Sequence, residues 1–492
     1  MSEDILGRKG IFEKIEWEVL KDKIVIEKLT SLGRLPKGSQ RIEVWRDESY
    51  KIRAKVYGTL DNINVHSVFQ KGIPGSKVQT FTIIGTDVNG LVKYILNHCY
   101  VKNIQCRFRW NGKDYVRDFE AELITQELKI QFNGQGQNDL HIEWFLNGPH
   151  DSLFIFPRAT RRSSSKTFVR ERLSIDNEAK SYCGVENETS SRDFAFINTG
   201  EIKYIISKVP KGLGPEWSMN IGIEYRKEWG IPDENTREAI AEITSFIIGK
   251  HLLNVGYSTF DSIGQPIEQV ALNPWGNNII SLSQSSGLPP IPFSDFNTIE
   301  EILNQVVRRY LELRNVLNLN EALWRYWIAN DLPIGVNLPI LHAGVEILAN
   351  AWFGSDKSKT RGVYLPKKEF DKLIKEGMQI IIPKLKTQKY GDRMINKMSN
   401  AYNMTSNERI PTFFEEIGLN IGEVENEALK GRNRMAHGSS SQLDKELYLT
   451  RSYQTLFHRI LLKILGYTGN YIDYSTEGWP ERHIDEPLGG NK

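Results

Sequence analysis

The strongest constraint on this chain is a change of hydrophobic period near residue 290. Before it, apolar residues recur at every second position in short runs broken by Gly, Asn and Pro. The runs are KIVIEKL (23–29), SYKIRAKVYG (49–58), TFTIIG (80–85), IQCRFRW (104–110), LKIQFNG (128–134) and LHIEWFLNG (140–148). Such alternation suits strands with one face on a core, and the Gly-containing breaks supply turn conformations. One helix interrupts the pattern: Pro232-Asp233 introduces EAIAEITSFIIGKHLL, with Ala239, Ile240, Ile243, Phe246 and Ile247 on one face. The stretch SLSQSSGLPPIPFSD (281–295) is rich in Ser, Gly and Pro and reads as a linker. Beyond it the period becomes helical. Thr298 and Glu301 form a capping-box pair, and Ile299, Ile302, Leu303, Val306, Val307, Tyr310 and Leu311 follow at helical spacing. Further helices are expected over 321–330, 338–353, 366–381, 389–403, 411–417, 422–437 and 446–466. The expected fold is therefore α+β: a β-rich region over 1–290 of one or two domains, a helical bundle over 291–468, and an irregular tail over 469–492.

Composition narrows the function classes. A chain that is 40% hydrophobic and 25% charged is globular, and its net charge of +2 means that any nucleic-acid-binding surface must be local. Three cysteines (Cys99, Cys106, Cys183) cannot close a disulfide framework, and MSEDILGRKGIFEKIEWEV lacks the apolar core of a signal peptide. No run approaches the ~18 apolar residues of a membrane helix. We expect a cytoplasmic protein with no membrane partner. Cys99 and Cys106, with His98 beside them and His141 further on, do not have the spacing of common zinc sites. No Walker-type loop, G-x-S-x-G or H-E-x-x-H occurs, so no metal and no cofactor are expected.

The segment that carries chemistry is EALKGRNRMAHGSSS (427–441), in which four residues separate Arg432 from His437 and Asn433 directly follows the arginine. It resembles the R-x(4–6)-H motif of the HEPN superfamily of ribonucleases, whose motif also follows one helix and precedes a last long one. The resemblance implies an all-helical nuclease domain with Arg432, Asn433 and His437 as catalytic residues and Arg434 as an RNA contact. The residue types suit the reaction. Metal-free RNA cleavage uses the ribose 2′-hydroxyl as an internal nucleophile. The imidazole of His437 titrates near neutral pH and can move protons, and the fork of Arg432 matches two phosphate oxygens. Asn433 can orient either. By the same resemblance, the products are a 2′,3′-cyclic phosphate and a 5′-hydroxyl. Five positions along a helix rotate a side chain by about 140°, so Arg432 and His437 diverge on an unbroken helix. Gly431 and Gly438 let the motif sit at a frayed end; alternatively two copies meet across a twofold axis, and at least a homodimer is expected. A plain reading remains: cations capping a helix C-terminus ahead of Gly438.

Other residues bear on the site. Glu346, in LPILHAGVEILANAW, is expected to tune His437 or hold Arg432, or else to be a charge at the margin of a buried helix. His342, one turn earlier, reads as a core histidine. Arg451 and His458 also fit R-x(4–6)-H, but within the amphipathic RSYQTLFHRILLKIL they read as the face of a packed helix. Far upstream, Arg158, Arg161, Arg162, Lys166, Arg170 and Arg172, interleaved with Thr, Ser and Phe168, suit phosphate contacts in RNA. The bland alternative pairs them with acids such as Glu171, Glu178, Glu186 and Glu188.

The order of the whole chain, with HIEWFLNGP (141–149), IFPRATRRSSSKTFVRERL (155–173) and RNRMAHG, resembles the ApeA-type anti-phage proteins. These join a long N-terminal domain to a HEPN domain. The resemblance implies an endoribonuclease of bacterial antiviral defence, released by a phage-derived trigger and cutting host RNA, with tRNA a candidate target, in abortive infection. Two rivals are kept. One is a silent HEPN-like module for RNA binding or dimerisation, with the function in the β-rich region. The other is a carbohydrate-binding β domain with a helical oligomerisation tail, using Trp17, Trp45, Trp110 and Trp144, although these tryptophans fit a core better.

Overall fold

The computed structural model describes residues 14–60, 79–110, 115–133, 136–149, 155–164, 168–175, 180–182, 189–274, 288–294, 297–436 and 443–490, with the backbone alone at 432–436 and a few other positions. The architecture is α+β: a large antiparallel sheet in the N-terminal half and helices in the C-terminal half. Two compact units result. One comprises Met1–Arg237, Ile248–Leu288 and Phe293–Asn304; the other comprises Glu238–Ile247, Pro289–Pro292 and Gln305–Lys492. The expected boundary at residue 290 is thus interleaved, because the middle of helix α1 (Glu234–Ile248) belongs to the second unit. Most of the expected linker 281–295 lies outside the described residues.

In the β-rich unit, alternation in sequence becomes alternation in burial. Strand Ile52–Leu60 turns Ile52, Ala54 and Val56 inward and leaves Lys55 and Tyr57 partly exposed. Strand Leu140–Leu146 is buried at every position, since it runs between Ile221–Arg226 and Leu253–Phe260. The long strand Val92–Trp110 serves two ladders. Its first part pairs with Phe81–Thr86 and Glu127–Phe132, and its second with Tyr115–Ile124. His98, at the changeover, has φ 55°, a left-handed conformation that lets the strand turn from one ladder to the other. One core gathers Ile42, Val44, Val56, Leu96, Cys99 and Phe119. A second packs Trp17, Trp144, Leu146, Leu253 and Phe260. Trp17 and Trp144 meet at a tilt of 59° with ring centroids 5.9 Å apart in that core, whereas Trp110 is 56% exposed, so these tryptophans form no common surface.

The helical unit follows the expected period. Its elements are α2 (Ile299–Leu313), α3 (Leu319–Asp331), α4 (Asn337–Gly354), α5 (Lys367–Lys386), α6 (Gly391–Ser399), α7 (Ser406–Glu416), α8 (Glu423–Ala436) and α9 (Leu443–Ile464). The first turns of α2 count with the β-rich unit. The capping box forms as read: the Thr298 N–H donates to the Glu301 carboxylate at 2.6 Å, and Thr298 Oγ1 accepts from the Glu301 N–H at 3.4 Å. Helix α9 is buried on every side over most of Leu449–Ile464. Its polar side chains are therefore matched inside: Gln454 donates to Asn330 at 2.7 Å, and Arg459 pairs with the fully buried Glu425.

The tail differs from the irregular segment expected. Asn470–Ile472 and Glu481–His483 form a short hairpin. Between them, the buried Asp473 carboxylate accepts from Ser475, Thr476, the Arg482 guanidinium and the Gly489 N–H. Tyr471, Ile484 and Leu488 are buried with it.

Candidate functional site

Helix α4 carries His342 and Glu346 at i and i+4, which places them on one face. The Nε2 of His342 lies 3.1 Å from Glu346 Oε1, and its Nδ1 lies 2.5 Å from the Tyr453 hydroxyl on α9. A carboxylate only accepts, so Nε2 donates to Glu346, and in the neutral ring Nδ1 then accepts from the Tyr453 O–H. The result is an ordered polar chain, Tyr453 to His342 to Glu346. It runs from a fully buried phenol to a carboxylate side chain that is 41% exposed. Glu346 is thus engaged by His342, and His342 is buried as expected but bonded at both nitrogens.

Helix α8 approaches α9 one turn before Tyr453. A Cβ on Gly431 would stand 2.8 Å from Leu449 Cδ1, so the glycine permits close helix contact. Gly431 lies within a helix that continues to Ala436, and Gly438 lies outside the described residues. Arg432, Asn433 and Arg434 follow on that last stretch of α8; their side chains lie outside the described residues, as does His437. What the structure brings together is the backbone of the motif's first half, the Gly431–Leu449 contact, and the Glu346–His342–Tyr453 chain on the two helices that pack against α8.

The second sequence match behaves differently. His458 is 1% exposed, its Nε2 lies 2.6 Å from the Tyr326 hydroxyl, and Phe246 and Tyr474 stand edge-on to its ring. Burial, with the nearby Arg451 adding to it, pushes the imidazole down to about 3. A ring held neutral across the physiological range is a packing element, not a proton carrier.

In the β-rich unit the arginine cluster is tied up in ion pairs. Arg158 grips Glu300 at 2.6 and 2.7 Å, and Arg162 bridges Glu16 (3.2 Å) and Asp193 (2.7 Å). Arg170 bridges Glu16 (2.8 Å) and Glu224 (3.1 Å), and the buried Arg172 also reaches Glu224. Burial works to raise the Glu16 carboxyl, but the guanidinium groups of Arg162, Arg170 and Arg172 outweigh it and hold it at about 2. Burial, then the neighbouring Arg170, pushes the Arg172 guanidinium down to about 10. Arg161 is about half exposed and meets Glu171 at 3.4 Å; Lys166, Glu178, Glu186 and Glu188 lie outside the described residues. Apart from Glu171, the acids that pair with these arginines are not the ones adjacent in sequence.

A basic pair of helices stands apart from the R-x(4–6)-H segment in sequence. Residues 367–399, which form α5 and α6, hold nine Lys and Arg against four Asp and Glu. Only Met378 is buried on α5, so this charge faces outward. Counting net charge element by element, rather than over the chain, reveals it. Among the described residues no group of three or more His, Cys, Asp or Glu is placed to hold a metal ion. The chain matches no known family model, no characterised protein and no solved structure with which it was compared.

Proposed function

We propose that the helical unit is an endoribonuclease of HEPN type, in which His437 moves the proton of the ribose 2′-hydroxyl and Arg432 neutralises the phosphate as it is attacked. The observation that carries the proposal is the sequence spacing Arg432-Asn433…His437, whose first half closes α8. Two features support it. The Glu346–His342–Tyr453 chain gives the helices around the motif a fixed polar framework, as a positioned site requires. The outward-facing basic hairpin α5–α6 supplies the local positive surface that a polyanionic substrate needs on a chain whose net charge is only +2. Such chemistry needs no metal, because the nucleophile is internal to the RNA and both charge and proton are handled by side chains. We extend the proposal to a homodimer with paired motifs, and to a role in cutting host RNA once infection supplies a trigger.

The test is RNA cleavage by the full chain and its Arg432→Ala and His437→Ala variants, with circular dichroism and sedimentation establishing that fold and oligomeric state are kept. Loss of an acid–base group lowers the rate by about 100-fold or more. Equal cleavage by wild type and His437→Ala would remove the proposed mechanism. RNA binding without cleavage, even in extracts of infected cells, would point instead to a silent binding module.

A further inference from the structure

The β-rich unit contains a cavity of about 310 Å³ between the segment around 14–24 and one face of the sheet. Strand register sets its floor. Tyr94 stands opposite Ile130, Ile130 opposite Gln269, and Gln269 opposite Ser258, so these side chains form one row on the same side of the sheet. Tyr94, Ile130 and Gln269 line the cavity, and Trp17 and Phe132 add aromatic walls.

Gln269 is the polar group of that floor. It is fully buried, and its amide nitrogen donates to Ser258 Oγ at 3.3 Å, an oxygen that also accepts the Trp144 indole N–H at 3.2 Å. Its Oε1 has no hydrogen-bond partner among the described residues. A buried acceptor in that state is satisfied by any ligand that brings an N–H to it. Cations lie among the lining residues. The Lys14 ammonium sits 4.7 Å from the centre of the Phe132 ring, with no carboxylate partner among the described residues, and Lys21 also lines the cavity. The one acid in the lining that is buried, Glu18, is already held by Arg46 at 2.9 Å and by the Tyr50 hydroxyl at 2.8 Å.

Aromatic walls, a buried acceptor lacking a donor, and ammonium groups complement a flat N–H-bearing ring with an anionic tail. We propose that this cavity binds a nucleoside monophosphate, its base between the aromatic walls with an N–H toward Gln269 Oε1 and its phosphate at Lys14 and Lys21. The volume lies at the low end of small-ligand sites, about 300–1,000 Å³, which suits a mononucleotide rather than an oligonucleotide. The site uses none of the residues of the proposed nuclease, so either proposal can fail alone.

The experiment is calorimetric titration of the full chain with the four common nucleoside 5′-monophosphates, with inorganic phosphate and the free nucleosides as separate arms. At least one monophosphate should bind more tightly than its nucleoside and than phosphate. Gln269→Leu should weaken that binding tenfold or more. Lys14→Ala, a change near the surface that spares the core, should bring nucleotide and nucleoside affinities together. No binding of any monophosphate at millimolar concentration overturns the proposal, as does binding that Lys14→Ala leaves unchanged. Phosphate binding as tightly as every nucleotide also overturns it, by removing the base from recognition.

Discussion

Glu16 shows most clearly how single residues hold the β-rich unit. It is 3% exposed, and its two oxygens are shared between Arg162 and Arg170. Removing one partner of a buried ion pair leaves the other charge uncompensated and costs about 3–5 kcal/mol. Glu16→Gln should destabilise the unit by that order at neutral pH. The pH dependence has a definite sign. The folded carboxyl sits at about 2, below the ~4.3 of an unfolded glutamate, so its stabilisation is complete above about pH 5 and is lost as pH falls toward 2. Denaturant unfolding of wild type and Glu16→Gln at pH 6.5 and pH 3.5 should therefore show a gap that narrows in acid. A gap that widens would mean that Glu16 is not the depressed group. The sequence displayed these arginines but not their partners, because Glu16 and Arg162 are 146 positions apart and only the sheet brings them together.

Among the elements, α5 and α6 make the sharpest prediction. Lys368, Lys372 and Lys375 fall within about 60° around α5 and all three are exposed. If this face meets RNA phosphates, the triple change to Ala should weaken binding at all sequences alike. It should also lower the slope of log affinity against log salt by about one for each phosphate that is no longer neutralised. Binding assays across a salt series give the answer, and an unchanged slope would place the RNA elsewhere. Element types were legible in the sequence wherever a period ran for several turns or a whole strand. Boundaries were not. Helix α7 was expected from Pro411, yet it begins at Ser406, where Thr405 and Glu408 form a capping box that outweighs the proline five positions later. The tail hairpin was invisible because strands of three residues carry too few alternations, and because the organising Asp473 acts through side-chain hydrogen bonds that leave no pattern.

For the whole molecule, the change of period near residue 290 foretold the α+β division, while the interleaving of the two units through α1 and α2 left no trace in composition. The candidate site was half legible. Arg432, Asn433 and His437 stood apart from Arg451 and His458, which fit the same spacing, by Asn433 and the glycine after the histidine, but the bond from His342 to Tyr453 joins residues 111 positions apart and follows only from the packing of α4 on α9. The central claim is that these helices carry metal-free RNA cleavage through the 2′-hydroxyl. The most direct measurement is end-group analysis of RNA cut by the wild-type chain in EDTA, beside a matched substrate with 2′-deoxyribose at the cleaved nucleotide. Cyclic phosphate and 5′-hydroxyl ends, with the deoxy substrate left intact, are the predicted result. Cutting of the deoxy substrate, or 5′-phosphate ends, would contradict it.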